Sequence, residues 1–282
     1  MKIGCHVSIA GGIANAPARA AGLGCEVFQI FSRSPRGGKA PQLTGEVVKA
    51  FWKEMKKYGF SEFVIHTPYF INFGSKNRRI FFGSVDVVRE ELERASRLKC
   101  RYVMTHLGSY KDLGRKAGFA QLIKGLDIVT AGYKGSAQLL VEISAGAGEV
   151  MGGSFEEIKK IITHSRLRRR HLGVCFDTQH AFASGYDLRT PAAVKKTIAA
   201  FDKIIGLKNL KVLHANDSKV GLGEKKDRHE HIGYGKIGRT GFRALVNHPK
   251  LKALNMYLET EGGGVKEDIK ILKQLRDAVQ KV

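Results

Sequence analysis

The sequence predicts an α/β fold, a (β/α)8 TIM barrel, and three observations carry the prediction. Short β-rich runs occur eight times, longer stretches with helical spacing separate them, and no low-complexity linker breaks the rhythm. A length of 282 residues suits one α/β barrel, and two ordinary domains would also fit it. The unbroken alternation selects a single domain over residues 1–282.

The strand candidates are KIGCHVS (2–8), EVFQIFS (26–32), FVIHTPY (63–69), YVMTHLG (102–108), LLVEIS (139–144), LGVCFDT (172–178), LKVLHAND (210–217) and MYLET (256–260). Between them, Ser154 followed by Glu157 has the pattern of a capping box, and Thr190 followed by Pro191 places a cap before a proline at the first helical position. Ser84 precedes a stretch with Val88, Leu92 and Ala95 at helical spacing, which marks another helix start.

Composition narrows the function. No stretch approaches the roughly 20 apolar residues of a membrane helix, and MKIGCHVSIAGG lacks the apolar core of a signal peptide, so a cytoplasmic protein with no membrane role is expected. Cys5, Cys25, Cys100 and Cys175 form no C-x-x-C pair, which reads as free thiols rather than a disulfide framework or a cysteine zinc site. A formal charge of +22 implies a polyanionic partner such as nucleic acid. Basic clusters stand at Arg33, Arg36 and Lys39; at Lys76, Arg78 and Arg79; at 166–170; and at Lys225, Lys226 and Arg228.

The chemistry collects late in the strands. His66, His106, Glu142, Asp177, His214 and Glu259 each lie near the end of a different run, and in a (β/α)8 barrel those ends converge on one mouth. Alternation puts Glu142 on the face of Leu140, Asp177 with Cys175, His66 with Val64 and His106 with Met104, while His6 falls at the rim of the first strand. Buried carboxylates require a counter-charge, and mixed imidazole and carboxylate donors suit zinc, manganese or iron better than magnesium or calcium. His180 follows Asp177 by three residues, one turn on if a helix begins there. Asp227 and His229, spaced i and i+2, can ligate together from an extended segment. This many ligands exceeds what one metal needs.

With these residues in view, the chain resembles endonuclease IV, the metal-dependent apurinic/apyrimidinic endonuclease family of base excision repair. The motifs span almost the whole chain: GCHVSIAGG, HTPYFINFG, HLGS, EISAGAG, GVCFDTQHAFASGYDL, HANDSK, DRHEHIGYGKIG and LET. The resemblance implies a trinuclear site, usually zinc, with three ions per chain and manganese or iron at some positions. One ion would take His66, His106 and Glu142; a second would share Glu142 and add Asp177, His214 and Glu259; a third would take His180, Asp227 and His229. His231 is left out as a neighbour of the ligands. Glu142 and Glu259 are the implied catalytic carboxylates.

The implied reaction is hydrolysis of the DNA backbone 5′ to an abasic site, leaving a 3′-hydroxyl, together with trimming of blocked 3′ ends. The implied partner is double-stranded DNA with such lesions, bound by a monomer. The positions matching the family's minor-groove wedge are Arg36, Tyr69 and Phe70. Three departures stand out: GGKAP follows Arg36 where relatives often carry an aromatic, EIS replaces Glu-Asn-Thr, and Glu261 adds a charge near Glu259.

Two other readings compete. A ketose or sugar-phosphate isomerase would use a similar barrel but would not require His180, Asp227 and His229, nor so basic a surface. A non-catalytic DNA-binding barrel would be expected to have lost ligand positions, yet all nine are ligand-competent.

Overall fold

The computed structural model describes residues 1–164, 166–167, 172–260 and 262–278, so most of the basic run 166–170 and Glu261 lie outside the described residues. Eight parallel strands close into a barrel. They are β1 (Ile3–His6), β2 (Val27–Phe31), β3 (Phe63–His66), β4 (Tyr102–Thr105), β5 (Gln138–Glu142), β6 (Gly173–Asp177), β7 (Leu210–His214) and β10 (Asn255–Leu258). Each lies within or against one of the eight β-rich runs, and β10 closes the ring by pairing with β1 through Ile3 and Met256.

The helices follow in alternation: α1 (Ala16–Gly22), α2 (Gly45–Lys57), α3 (Arg78–Arg97), α4 (Gly114–Thr130), α5 (Phe155–Ile162), α7 (Pro191–Ile204), α8 (Gly238–Val246) and α9 (Val265–Asp277). A short extra helix, α6 (Thr178–Ala183), follows β6 directly. After β7 the chain does not continue as strand to Asp217, as the sequence suggests. It bends at Ala215 and Asn216, and a small antiparallel hairpin of β8 (Asp217–Ser218) and β9 (His229–Glu230) stands over the barrel mouth.

The start signals fared unevenly. Thr190 caps α7 by accepting from the Ala193 amide, with Pro191 at the first helical position. Ser154 caps α5 through the Glu157 amide, but Glu157 does not complete the box, because its carboxylate takes the Tyr110 hydroxyl. Ser84 starts nothing. It sits inside α3, where its hydroxyl donates to Ile80 O and accepts from the Asn72 amide, while Asn77 caps the helix seven residues before Ser84.

Inside the barrel, Val27, Val64, Met104, Leu140, Cys175, Val212 and Tyr257 form one apolar layer, one residue from each of seven strands. The eighth strand contributes Gly4, where a Cβ would fall 1.6 Å from Val27 O, so the close approach of β1 to β2 demands glycine. The outward residues of the same strands pack against the helices as the main core, which includes Ile3, Phe28, Val103 and Phe176. Truncating Leu140 to alanine would cost about 2–5 kcal/mol, as for any closely packed leucine.

Candidate metal centre at the barrel mouth

Period-two alternation converts the apolar layer into a polar one. Two residues beyond each interior position lie His6, Gln29, His66, His106, Glu142, Asp177, His214 and Glu259. His66, Glu142, Asp177 and His214 are the last residues of their strands, and His106 and Glu259 stand one residue past β4 and β10. Seven of these positions are visible as candidate groups in the sequence. Gln29 is not.

Glu142 is the centre of the cluster. Its Oε2 lies 3.0 Å from His66 Nε2 and 3.9 Å from His106 Nε2, and its Oε1 lies 2.8 Å from His214 Nδ1. His214 Nδ1 is also 3.2 Å from Glu259 Oε2 and 3.8 Å from Asp177 Oδ2. The potential ligand atoms of His66, His106 and Glu142 fall within 4.8 Å of one another, as do those of Glu142, Asp177, His214 and Glu259. These two sets share Glu142, one carboxylate oxygen facing each.

A third set forms where α6 and the hairpin meet. Asp177 caps α6 by accepting the His180 amide at 2.7 Å, so the two side chains are held together by the helix start itself. His180 and His229 come within 4.8 Å of Asp177, which therefore belongs to both the second and the third set. Asp227 lies against both imidazoles, 3.2 Å from His180 Nε2 and 3.3 Å from His229 Nε2. Neither Nε2 makes an aligned hydrogen bond despite burial. Buried imidazole nitrogens left in that state, and turned toward carboxylates, fit a cation better than they fit each other.

Neighbouring groups fix which ring nitrogen faces inward. His66 Nδ1 donates to Thr67 O and His180 Nδ1 donates to Ile143 O at 2.9 Å, leaving Nε2 of each for the cluster. His214 is reversed: Nε2 donates to Gln29 Oε1 at 2.8 Å and Nδ1 faces Glu142. Gln29 Nε2 in turn donates to Glu259 Oε1 at 2.6 Å. Asn216 Nδ2 donates to Asp177 Oδ2 at 2.6 Å, and its Oδ1 accepts the Glu259 amide.

The electrostatics describe a site that needs positive charge. Burial pushes the Glu142 carboxyl up, but His214 and His106 outweigh it and hold the group well below its ordinary range. Burial likewise opposes ionisation of Glu259, and His214 brings it to about 2; for Asp227 the His180 contact does the same, again to about 2. Burial disfavours charge on His180, yet Asp177, Asp227 and Glu142 together raise it to about 10. The same carboxylates raise the proton affinity of His66, His180 and His214, while burial lowers that of His106, and a divalent cation would balance the carboxylates without those protons.

One buried carboxylate arranges the hairpin loop. Asp217 accepts backbone N–H groups from Ser218 and Ile237 on Oδ1, at 2.8 and 2.9 Å, and from Gly233 and Gly235 on Oδ2, at 2.9 and 3.2 Å. Gly238 N adds a further contact to each oxygen. From the other side, Asp268 on α9 binds His231 Nδ1 at 2.7 Å and the Ile232 amide at 2.9 Å, which engages His231 outside the three ligand sets.

The cluster opens on a cleft of about 380 Å³ lined by His66, Tyr69, His106, His180, Asp227, His229 and Glu259, with Lys219 and Arg228 at its edge. Tyr69 and Phe70 project at the rim, 67% and 42% exposed, and Tyr69 rests edge-on against Phe31 with ring centroids 5.1 Å apart. Arg36 is exposed on the loop after β2, beside Gly37, which lies against the Phe70 ring. Among the described residues no helix is long and apolar enough to cross a membrane.

The family described as xylose isomerase-like TIM barrel matches residues 17–275. The probable endonuclease 4 of Cenarchaeum symbiosum (strain A) is 40% identical over 278 residues, covering 98% of this chain and 99% of that protein. The probable endonuclease 4 of Halothermothrix orenii is 39% identical over 277 residues, with coverage of 98% and 99%. The crystal structure of endonuclease IV from Thermus thermophilus superposes with a TM-score of 0.86 at 35% identity, covering both chains completely. By fold, by sequence over its full length and by the residues gathered at its mouth, the chain belongs to the endonuclease IV family of xylose isomerase-like TIM barrels.

Proposed function

We propose that this chain is a metal-dependent DNA repair endonuclease that hydrolyses the phosphodiester bond 5′ to abasic sites in duplex DNA. In this reading it leaves a 3′-hydroxyl, trims blocked 3′ ends and serves base excision repair as a cytoplasmic monomer, one domain over residues 1–282. The observation that carries the reading is the sharing of Glu142 between two ligand sets, with a third set joined to them through Asp177. A charge of +22 supports a phosphate-rich partner.

The nine residues His66, His106, Glu142, Asp177, His180, His214, Asp227, His229 and Glu259 would hold three ions, zinc foremost, with manganese or iron at some positions. Such ions supply Lewis acidity, which acidifies water and offsets charge on a phosphoryl group. The chain's own residues do the rest. Glu142 and Glu259, the catalytic carboxylates of the reading, keep their ionised form next to His214 and so remain available to bind cations at neutral pH. Thr67 O, Ile143 O and Gln29 orient the imidazoles before substrate arrives. Arg36, Tyr69 and Phe70 would enter the minor groove and occupy the gap left by the missing base, and the abasic nucleotide flips at low cost because it has no base to unstack.

A sugar isomerase is the reading that the family's description raises. It gives no role to His180, Asp227 and His229, or to the charge. A duplex carrying one synthetic abasic residue separates the two. The proposal expects cleavage 5′ to the lesion, lost in Asp227→Ala, and about three zinc equivalents by elemental analysis. Ketose isomerisation with an intact duplex would overturn it.

A further inference from the structure

Tyr234 is the most exposed large apolar side chain among the described residues, at 72%, and Tyr69 is next at 67%. Their places in the fold are related. Tyr69 lies on the loop after β3 and Tyr234 on the segment between β9 and α8, which belongs to the connection after β7. In the ring order β3-β2-β1-β10-β7 one way and β3-β4-β5-β6-β7 the other, these two strands are four steps apart in both directions. The connections that carry the two aromatics therefore leave from strands on opposite sides of the ring, with the ligand cluster at the strand ends between those strands.

Tyr234 is held rather than loose. Its amide donates to His231 O at 3.0 Å, and the glycines on either side both donate their amides to the same oxygen, Asp217 Oδ2. Gly233 has φ +86°, and a Cβ there would fall 2.5 Å from Arg239 Cγ, so an arginine side chain packs against the foot of the turn. Lys236 N is tied to Ser218 O at 2.7 Å. A single exposed tyrosine is ordinary on a protein surface. A tyrosine displayed on a turn clamped by a buried carboxylate, three residues beyond the cleft-lining His231 and on the same connection as Lys219 and Arg228, is a preorganised contact for a polyanion with flat apolar faces.

We propose that Tyr234 is a DNA-contacting residue that packs against a sugar or base face of the duplex on the side of the mouth opposite Tyr69 and Phe70. The inference rests on the endonuclease reading, and it extends the interface from one rim to both. It assigns the ring, not the hydroxyl, as the contact, because the hydroxyl can be lost without losing the apolar face.

The test compares wild type, Tyr234→Ala and Tyr234→Phe on a duplex with one synthetic abasic residue, with zinc content and melting temperature measured alongside. Tyr234→Ala is expected to raise KM about ten-fold, with kcat within about two-fold of wild type and zinc content unchanged. Tyr234→Phe is expected to restore the wild-type KM. An unchanged KM in Tyr234→Ala, while wild type cleaves, overturns this inference and leaves the endonuclease reading standing. Loss of zinc or of kcat in Tyr234→Ala also overturns it, because the residue would then serve the ligand loop. Failure of wild type to cleave overturns the endonuclease reading itself, and the contact with it.

Discussion

Gln29 and His214 hold each other across the barrel mouth: His214 Nε2 donates to Gln29 Oε1 at 2.8 Å, which leaves His214 Nδ1 facing Glu142. The amide of the same glutamine donates to Glu259 Oε1. One neutral side chain thus sets the tautomer of one ligand candidate and the orientation of another. Gln29→Leu keeps the approximate volume and removes both bonds, so metal affinity is expected to fall about 10- to 100-fold. Competition with a zinc chelator checks this, and an affinity equal to wild type would refute it.

Asp217 should control the third ligand set without binding metal. Asn at this position turns an amide N–H group toward several backbone N–H donors, so part of the loop's hydrogen bonding is lost, at about 1–3 kcal/mol for each group left unpaired. Hydrogen exchange of the amides of Gly233, Gly235 and Ile237 is expected to accelerate strongly in Asp217→Asn. Strand amides such as Val103 should keep their protection, and zinc content should drop toward two equivalents.

Glu91 gives the fold a pH dependence away from the metal centre. Burial pushes its carboxyl up to about 7, against the opposing effects of the Ser32 hydroxyl, Arg94 and Arg33. The folded state therefore binds this proton more tightly than the unfolded chain between about pH 4.5 and pH 7. Over that window its contribution makes stability fall as pH rises, by on the order of 3 kcal/mol in total. Denaturant unfolding of wild type and Glu91→Gln at pH 5 and pH 7.5 isolates the effect: the stability difference between the two proteins should shift in favour of the glutamine variant at the higher pH. A difference independent of pH would contradict it.

The same carboxylate is bonded to the base of the loop that carries Arg36, the loop proposed to contact DNA. Ser32, which donates to Glu91, is bound by Arg94 Nε at 2.7 Å, and Arg94 also reaches Ser32 O and Pro41 O, both at 2.6 Å. These bonds pin both ends of the loop that carries Arg36. Arg94→Met is expected to raise KM for an abasic duplex several-fold with little change in zinc content. Equal KM values for variant and wild type would separate the loop from DNA binding.

Much of the mouth was legible because a barrel strand must alternate, so that His66, Glu142, Asp177 and His214 inherit the inward direction of Val64, Leu140, Cys175 and Val212. His180 was legible on the condition that a helix begins after Asp177, which it does. Gln29 occupies the same layer, but an amide carries no metal or acid-base signature that would mark it among the histidines and carboxylates. Asp217 and Asp268 escaped for a different reason. Apart from Ser218 next to Asp217 and Thr260 eight residues before Asp268, their partners lie 16 to 21 and 36 to 37 residues away along the chain, and only tertiary folding brings them together. Ser84 misled because a serine hydroxyl inside a helix can bond back to a carbonyl one turn earlier, as it does to Ile80.

The shared position of Glu142 is the claim on which the rest depends. The most direct measurement is cleavage of a duplex with one synthetic abasic residue by Glu142→Gln, with zinc content determined on the same sample. The account predicts loss of incision 5′ to the lesion by at least about 100-fold, together with loss of metal from the two sets that share this carboxylate. Full zinc content and wild-type incision in Glu142→Gln would contradict it.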